Sequence, residues 1–236
     1  MDTKVETASS IRLSPSALNL FLDCPRCFWL EKVKNIKRPR GIFPSLPSGM
    51  DRVIKDYFDT ARSKGKLPPE LTGPDFEGVE LYQDQAKLNL WRNWRTGLAC
   101  QDTDKSVLFG ALDDLLVKGD RYIPFDYKTK GSPTTEEDAV KYYQNQIDCY
   151  ALLLHANKMP AVGYGFLLYF SPKAVSENGQ VQFTIQPIKI QIDIERAKST
   201  FRRAVNLIKG AMPASAGKCE YCAWINQMNR NSHVSE

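Results

Sequence analysis

Two apolar runs that meet at a short polar break constrain this chain more than any other feature. Residues 107–117 read V-L-F-G-A-L-D-D-L-L-V and residues 121–128 read R-Y-I-P-F-D-Y-K, joined at Lys118-Gly119-Asp120. Apolar runs broken by Gly-Asp predict two antiparallel strands closed by a tight turn. Each arm carries carboxylates inside its apolar stretch: Asp113 and Asp114 in the first, Asp126 in the second. A carboxylate on a buried strand is costly unless it is paired or bound to a cation. Asp126 and Lys128 are two residues apart and share a strand face, whereas Asp114 should point away from Asp113 and be structural. Acidic oxygens converging from two strands beside a lysine describe a site for a hard divalent cation, Mg2+ or Mn2+. The competing reading is a solvated surface pair, a common fate of D-x-K.

The next segment weighs on that choice. Pro133-Thr134-Thr135-Glu136-Glu137 predicts a helix start, with Thr134 and Glu137 at capping-box spacing, and the helix runs to about Asn157. Gln146 and Tyr150 are four apart on it and share a face. As a set, G-A-L-D (110–113), D-Y-K (126–128) and Q-I-D-C-Y (146–150) resemble the G-x-x-D, D/E-x-K and Q-x-x-x-Y motifs of the PD-(D/E)XK nuclease superfamily. The branch they most resemble is the RecB-like one, which includes the iron–sulfur exonucleases of CRISPR adaptation.

The resemblance implies a restriction-endonuclease-like core and a metal-dependent deoxyribonuclease, an exonuclease in particular, working in DNA processing, repair or CRISPR adaptation. It implies Asp113, Asp126 and the backbone carbonyl of Tyr127 as Mg2+ or Mn2+ ligands, and Lys128 as the catalytic lysine. Gln146 and Tyr150 would orient the site and touch the DNA backbone. Partners would be DNA and the proteins of a DNA-processing or CRISPR adaptation complex. Two alternatives stand beside this: a catalytically inactive nucleic-acid-binding module, and a non-enzymatic adaptor stapled by a cysteine-ligated metal.

Upstream, residues 1–10 are polar and expected to be a disordered tail, leaving 11–236 as a single nuclease-like domain. Ser14-Pro15 opens a helix with Leu18, Phe21 and Leu22 on its apolar face. The basic stretch K-N-I-K-R-P-R-G (34–41) reads as a loop, either a solvated linker or a phosphate-contacting edge. An amphipathic helix is expected from Asp51 to Ser63. RecB-like nucleases commonly carry a metal-contacting histidine at the start of such a helix, but the only histidines here are His155 and His233. Asp51 falls nearest that position, as a substitute metal ligand or as a simple helix cap. Residues 64–78 are a Pro/Gly-rich connection, and Tyr82 to Leu98 reads as a further helix. Gly163–Phe170 is a buried strand, Val181–Ile192 a half-buried one with Pro187 marking an edge or bulge, and Ile194–Lys209 a helix. The sum is an α/β chain with a mixed central β-sheet flanked by helices.

Four of the six cysteines form two C-x2-C pairs, Cys24/Cys27 and Cys219/Cys222, at opposite ends of the chain. This spacing fits metal ligation better than disulfides. The gap is far longer than in a zinc finger, and the resemblance accounts for it, because iron–sulfur nucleases of this superfamily staple their chain ends together. Those relatives typically draw three cysteines from the C-terminal end; here Cys27 takes the place of the missing one. Both a [4Fe–4S] cluster and a tetrahedral Zn2+ fit four thiolates; the resemblance implies the cluster, with Zn2+ as the alternative. No run approaches the ~20 apolar residues of a membrane span, so the expected location is cytoplasmic. A net charge of +5 permits a phosphate-backbone partner without establishing one.

Overall fold

The structure is a computed structural model that describes residues 10–232. The stretch expected to be a tail lies, Ser10 apart, outside the described residues, as does His233. In chain order come β1 (Arg12–Leu13), α1 (Pro15–Asp23), α2 (Pro25–Lys34), α3 (Ser45–Ser63), a 3-10 turn (Pro74–Phe76), β2 (Val79–Leu81) and α4 (Gln85–Arg92). Then follow β3 (Leu98–Gln101), β4 (Val107–Gly110), β5 (Asp114–Lys118), β6 (Arg121–Thr129) and α5 (Glu136–Ala156). The chain continues through β7 (Tyr164–Val175), β8 (Val181–Gln191), α6 (Ile194–Lys209) and α7 (Glu220–Ser232). No helix among the described residues is long and apolar enough to cross a membrane.

Two mixed sheets result: a three-stranded one ordered β1-β4-β3 and a five-stranded one ordered β2-β5-β6-β7-β8. The described residues divide into two compact units. A terminal unit takes residues 10–40, 100–109 and 199–232, and a central unit takes Gly41–Ala99 and Gly110–Lys198.

In the central unit β5 and β6 form the expected hairpin, with Lys118 opposite Arg121 and only Gly119-Asp120 in the loop. Gly119 has φ of 61°, the left-handed conformation that glycine adopts without strain. β6 then pairs in parallel with β7, Asp126 opposite Leu167. Parallel neighbours need a crossover, and α5 supplies it. Ile123, Phe125 and Tyr127 of β6 alternate into an apolar cluster with Ile54 and Phe58 of α3 and with Phe166 and Leu168 of β7. β8 is an edge strand, which is where Pro187 is tolerated.

Several boundaries differ from the sequence reading. The first arm of the expected hairpin is not one strand: it breaks after Gly110 and resumes at Asp114, and its halves join different sheets. The break has a tertiary cause. A Cβ on Gly97 would stand 2.3 Å from the Gly110 carbonyl oxygen. Just beyond, the Leu112 amide donates to Trp91 O at 3.0 Å and Arg92 Nε donates to Asp113 O at 2.7 Å. These bonds fasten the segment to the end of α4. That helix covers only Gln85–Arg92, because the Asn93 amide turns back to Leu90 O at the C-cap. α3 begins at Ser45, not Asp51. The N-cap of α5 is Thr135, which accepts from the Asp138 amide at 3.2 Å, while Thr134 is buried and receives Lys130 Nζ.

Candidate active site and metal centre

The alternation of β6 that sends Phe125 and Tyr127 into the apolar cluster turns Asp126 to the other face, where α5 packs. Asp126 is 1 % exposed. Gln146 Nε2 donates to its Oδ1 at 2.9 Å, and the Tyr150 hydroxyl donates to the same oxygen at 3.3 Å. Gln146 Nε2 also reaches the Tyr150 hydroxyl at 2.5 Å, so the pair four apart on α5 acts as one clamp. The Lys128 ammonium pairs with Asp126 Oδ2 and lies 4.6 Å from the centre of the Tyr143 ring. Apart from that ammonium and the neighbouring Asp113 carboxyl, the buried Oδ2 meets no hydrogen-bond partner among the described residues.

Asp113 immediately precedes β5 and lies beside Asp126. Its Oδ1 is 2.8 Å from Lys55 Nζ, and the same ammonium is 2.8 Å from Asp51 Oδ2. Asp51 therefore sits inside α3 and does not cap it. Lys55 joins the site without having been anticipated. Its only sequence signal was the i, i+4 spacing to Asp51. Tyr127 lies between Asp126 and Lys128 on β6, with its ring on the opposite face.

Two carboxyls this close do not ionise alike. Burial, then the negative charge of Asp113, push Asp126 up to about 7 against the pull of Lys128. Burial also raises Asp113, but the Lys55 and Lys128 ammoniums outweigh it and hold Asp113 below the usual carboxylate range. Burial lowers Lys128 and Lys55, and the carboxylates reverse that, so both stay charged. A buried carboxyl, a second carboxylate against it and an all-oxygen ligand set fit a hard divalent cation.

Asp114 points away from Asp113, as strand alternation requires, into a different network. It is fully buried and receives Arg62, Arg92 Nη2 at 3.1 Å, the Tyr127 hydroxyl and the Leu115 amide at 2.7 Å. Asp59 ties the same two arginines together, with Arg92 Nη1 at 2.7 Å. Burial raises the Asp59 carboxyl, but Arg92 and Arg62 bring it below its ordinary value. Sequence reasoning missed this cluster. The signal was Arg62 at i+8 on the Ile54, Phe58 stripe of α3, a charge on an apolar face. Asp148 of α5, also buried, was missed too; it accepts a two-pronged bond from Arg196 at 2.6 and 3.0 Å.

With this geometry goes a family match: the PD-(D/E)XK nuclease superfamily profile covers residues 52–227, most of the chain. The chain belongs to the PD-(D/E)XK nuclease superfamily. Members are generally hydrolytic nucleases acting on nucleic acid and using divalent metals, and the mixed sheet with its acidic hairpin is in keeping with such a core. No curated protein matches the sequence.

The terminal unit of this superfamily member holds the second group of ligands. Cys24, Cys27, Cys219 and Cys222 are all buried, with their sulfurs within 4.8 Å of one another. Cys27 Sγ is 3.6 Å from Cys219 and 3.7 Å from Cys222, and Cys24 is 3.8 Å from Cys222. Each C-x2-C pair opens a helix: Cys24 is the N-cap of α2 and Cys219 directly precedes α7. The positive helix ends favour thiolates there. Arg38 Nη2 reaches Cys219 Sγ at 3.4 Å, its Nη1 pairs with Asp23 at 2.6 Å, and its guanidinium covers the Tyr221 ring at 4.5 Å. Burial pushes the Cys27 and Cys222 thiols up. Burial raises Cys24 as well, but the Ala216 and Cys27 backbone amides together with the Cys219 and Cys27 thiols bring it down to about 6. Four buried sulfurs with no disulfide between them can hold a metal.

Proposed function

We propose that this superfamily member is a divalent-metal-dependent nuclease that hydrolyses phosphodiester bonds in DNA. The observation that carries this is the buried Asp126 carboxyl, with the Asp113 carboxylate against it and the Lys128 ammonium paired to its Oδ2. Asp113, Asp126 and the Tyr127 carbonyl would hold Mg2+ or Mn2+. When bound, the cation lowers the pKa of water and offsets charge on the scissile phosphate. Gln146 and Tyr150 hold Asp126 in one rotamer, and the half-buried Gln146 is read as the contact to the DNA backbone. Lys128, fixed by Asp126 and the Tyr143 ring, presents an ammonium to the charge that develops on the phosphoryl oxygens. Exonucleolytic action in DNA processing or CRISPR adaptation follows from the motif resemblance to RecB-like nucleases.

For the thiol centre we infer one tetrahedral ion of the zinc type in place of a cluster. Thiolates at ~2.3 Å from a shared ion stand about 3.8 Å apart, and the three sulfur separations given above are 3.6 to 3.8 Å. A cluster spreads its thiolates much farther. Residues 11–236 are read as one functional domain, because the family match runs through stretches of both units. Free thiols suit a reducing compartment such as the cytoplasm.

Incubating end-labelled single- and double-stranded DNA with the protein and Mg2+ or Mn2+ tests the reading. Shortening of the label that stops with EDTA supports it. DNA that is bound but left intact with either ion points to the inactive module instead.

A further inference from the structure

The site contains an ammonium that nuclease chemistry at Asp113 and Asp126 does not by itself require. Lys55 stands 2.8 Å from both Asp51 Oδ2 and Asp113 Oδ1, and its side chain is only 20 % exposed. Asp113 is thus shared between Lys55 on one side and Asp126 on the other. Hydrolytic sites with two metal ions hold them about 3.5–4 Å apart, bridged by carboxylates. A second ion drawn to Asp51 and Asp113 would need the position that the ammonium fills.

Charge counting leads the same way. Asp51, Asp113 and Asp126 carry three negative charges against two positive ones on Lys55 and Lys128. One divalent cation turns the remaining negative charge into a single positive one, which matches the one charge of a phosphodiester. A second ion would leave a threefold positive excess in a partly desolvated site.

We propose that Lys55 takes the place of a second metal ion, so that the site works with one divalent cation and Asp51 anchors the lysine without ligating metal. This rests on the reading of Asp113 and Asp126 as ion ligands. Lys55 acts through Asp113, holding Oδ1 so that the other oxygen is free for the ion, and is a positioning residue.

The test counts Mn2+ on the full chain by calorimetry and electron paramagnetic resonance, with the thiol centre left as purified. Wild type should take one ion at this site and show an isolated-ion spectrum. Lys55→Ala should take two, with the coupled spectrum of paired ions, and the first should bind about tenfold tighter. Adding Asp51→Ala to Lys55→Ala should return the count to one. Lys55→Gln, neutral but still hydrogen-bonding, should also take two and serves if the alanine variant fails to fold. Two coupled ions on wild type, or a lysine-free variant that still takes one at unchanged affinity, would overturn the proposal alone. No ion on wild type would overturn it together with the reading beneath it.

Discussion

A carboxyl that is 1 % exposed beside a second carboxylate keeps its proton up to about pH 7, because burial and the charge of Asp113 outweigh the Lys128 ammonium. The sign of the pH dependence follows. The folded pKa lies above the unfolded value, so the folded state binds more protons between about pH 4 and 7. Stability after EDTA treatment should therefore fall as pH rises through that window, as thermal melts at stepped pH can check. A divalent cation must displace the same proton. Mg2+ affinity measured by calorimetry should weaken as pH drops below about 7 and level off above it. Asp114 pairs with two arginines. Asp114→Ala would strand Arg62 and Arg92 in the interior and should cost about 3–5 kcal/mol in urea unfolding. Asp126 and Lys128 were legible in the sequence because a two-residue spacing decides a strand face. Lys55 and Arg62 were not, because their partners lie far along the chain and only the packing of α3 brings them together.

At the level of elements, what local chemistry dictates was readable and what tertiary contacts dictate was not. The Gly119-Asp120 turn, the Ser14 cap and the limits of α6 rest on neighbours in sequence. The break between β4 and β5 rests on Gly97 meeting Gly110 and on Arg92 holding Asp113 O, so an apolar run looked continuous. β2, only three residues long, escaped notice for want of any pattern. The crossover that sets Gln146 against Asp126 depends on a close approach at Gly165. A Cβ there would stand 2.9 Å from Ile147 Cγ2 and 3.0 Å from Pro124 O. Gly165→Ala should destabilise by about 1–3 kcal/mol and slow cleavage by shifting α5. Thr135→Ala should cost about 1 kcal/mol through the lost cap, and urea unfolding of the two variants separates these effects.

Across the whole molecule the two metal-type centres have separate work. On the proposed reading the hairpin carboxylates serve chemistry, and the cysteines close a loop of nearly the whole chain, whose entropic cost metal–thiolate bonds would offset. A chelator that strips the thiol centre should expose α1, α2 and α7 to amide exchange, and as-purified protein should carry stoichiometric zinc and no absorbance near ~400 nm, where iron–thiolate bands fall. The central claim is that Asp126 is a buried charge kept for a cation. The most direct measurement compares Mg2+-dependent DNA cleavage by wild type and Asp126→Asn, alongside their melting after EDTA treatment. The account predicts that the variant melts at or above the wild-type temperature at pH 8, since a buried like-charge pair is gone, while cleavage falls at least ~1,000-fold, about 4 kcal/mol of transition-state stabilisation. A variant that folds and cuts DNA at the wild-type rate would contradict it.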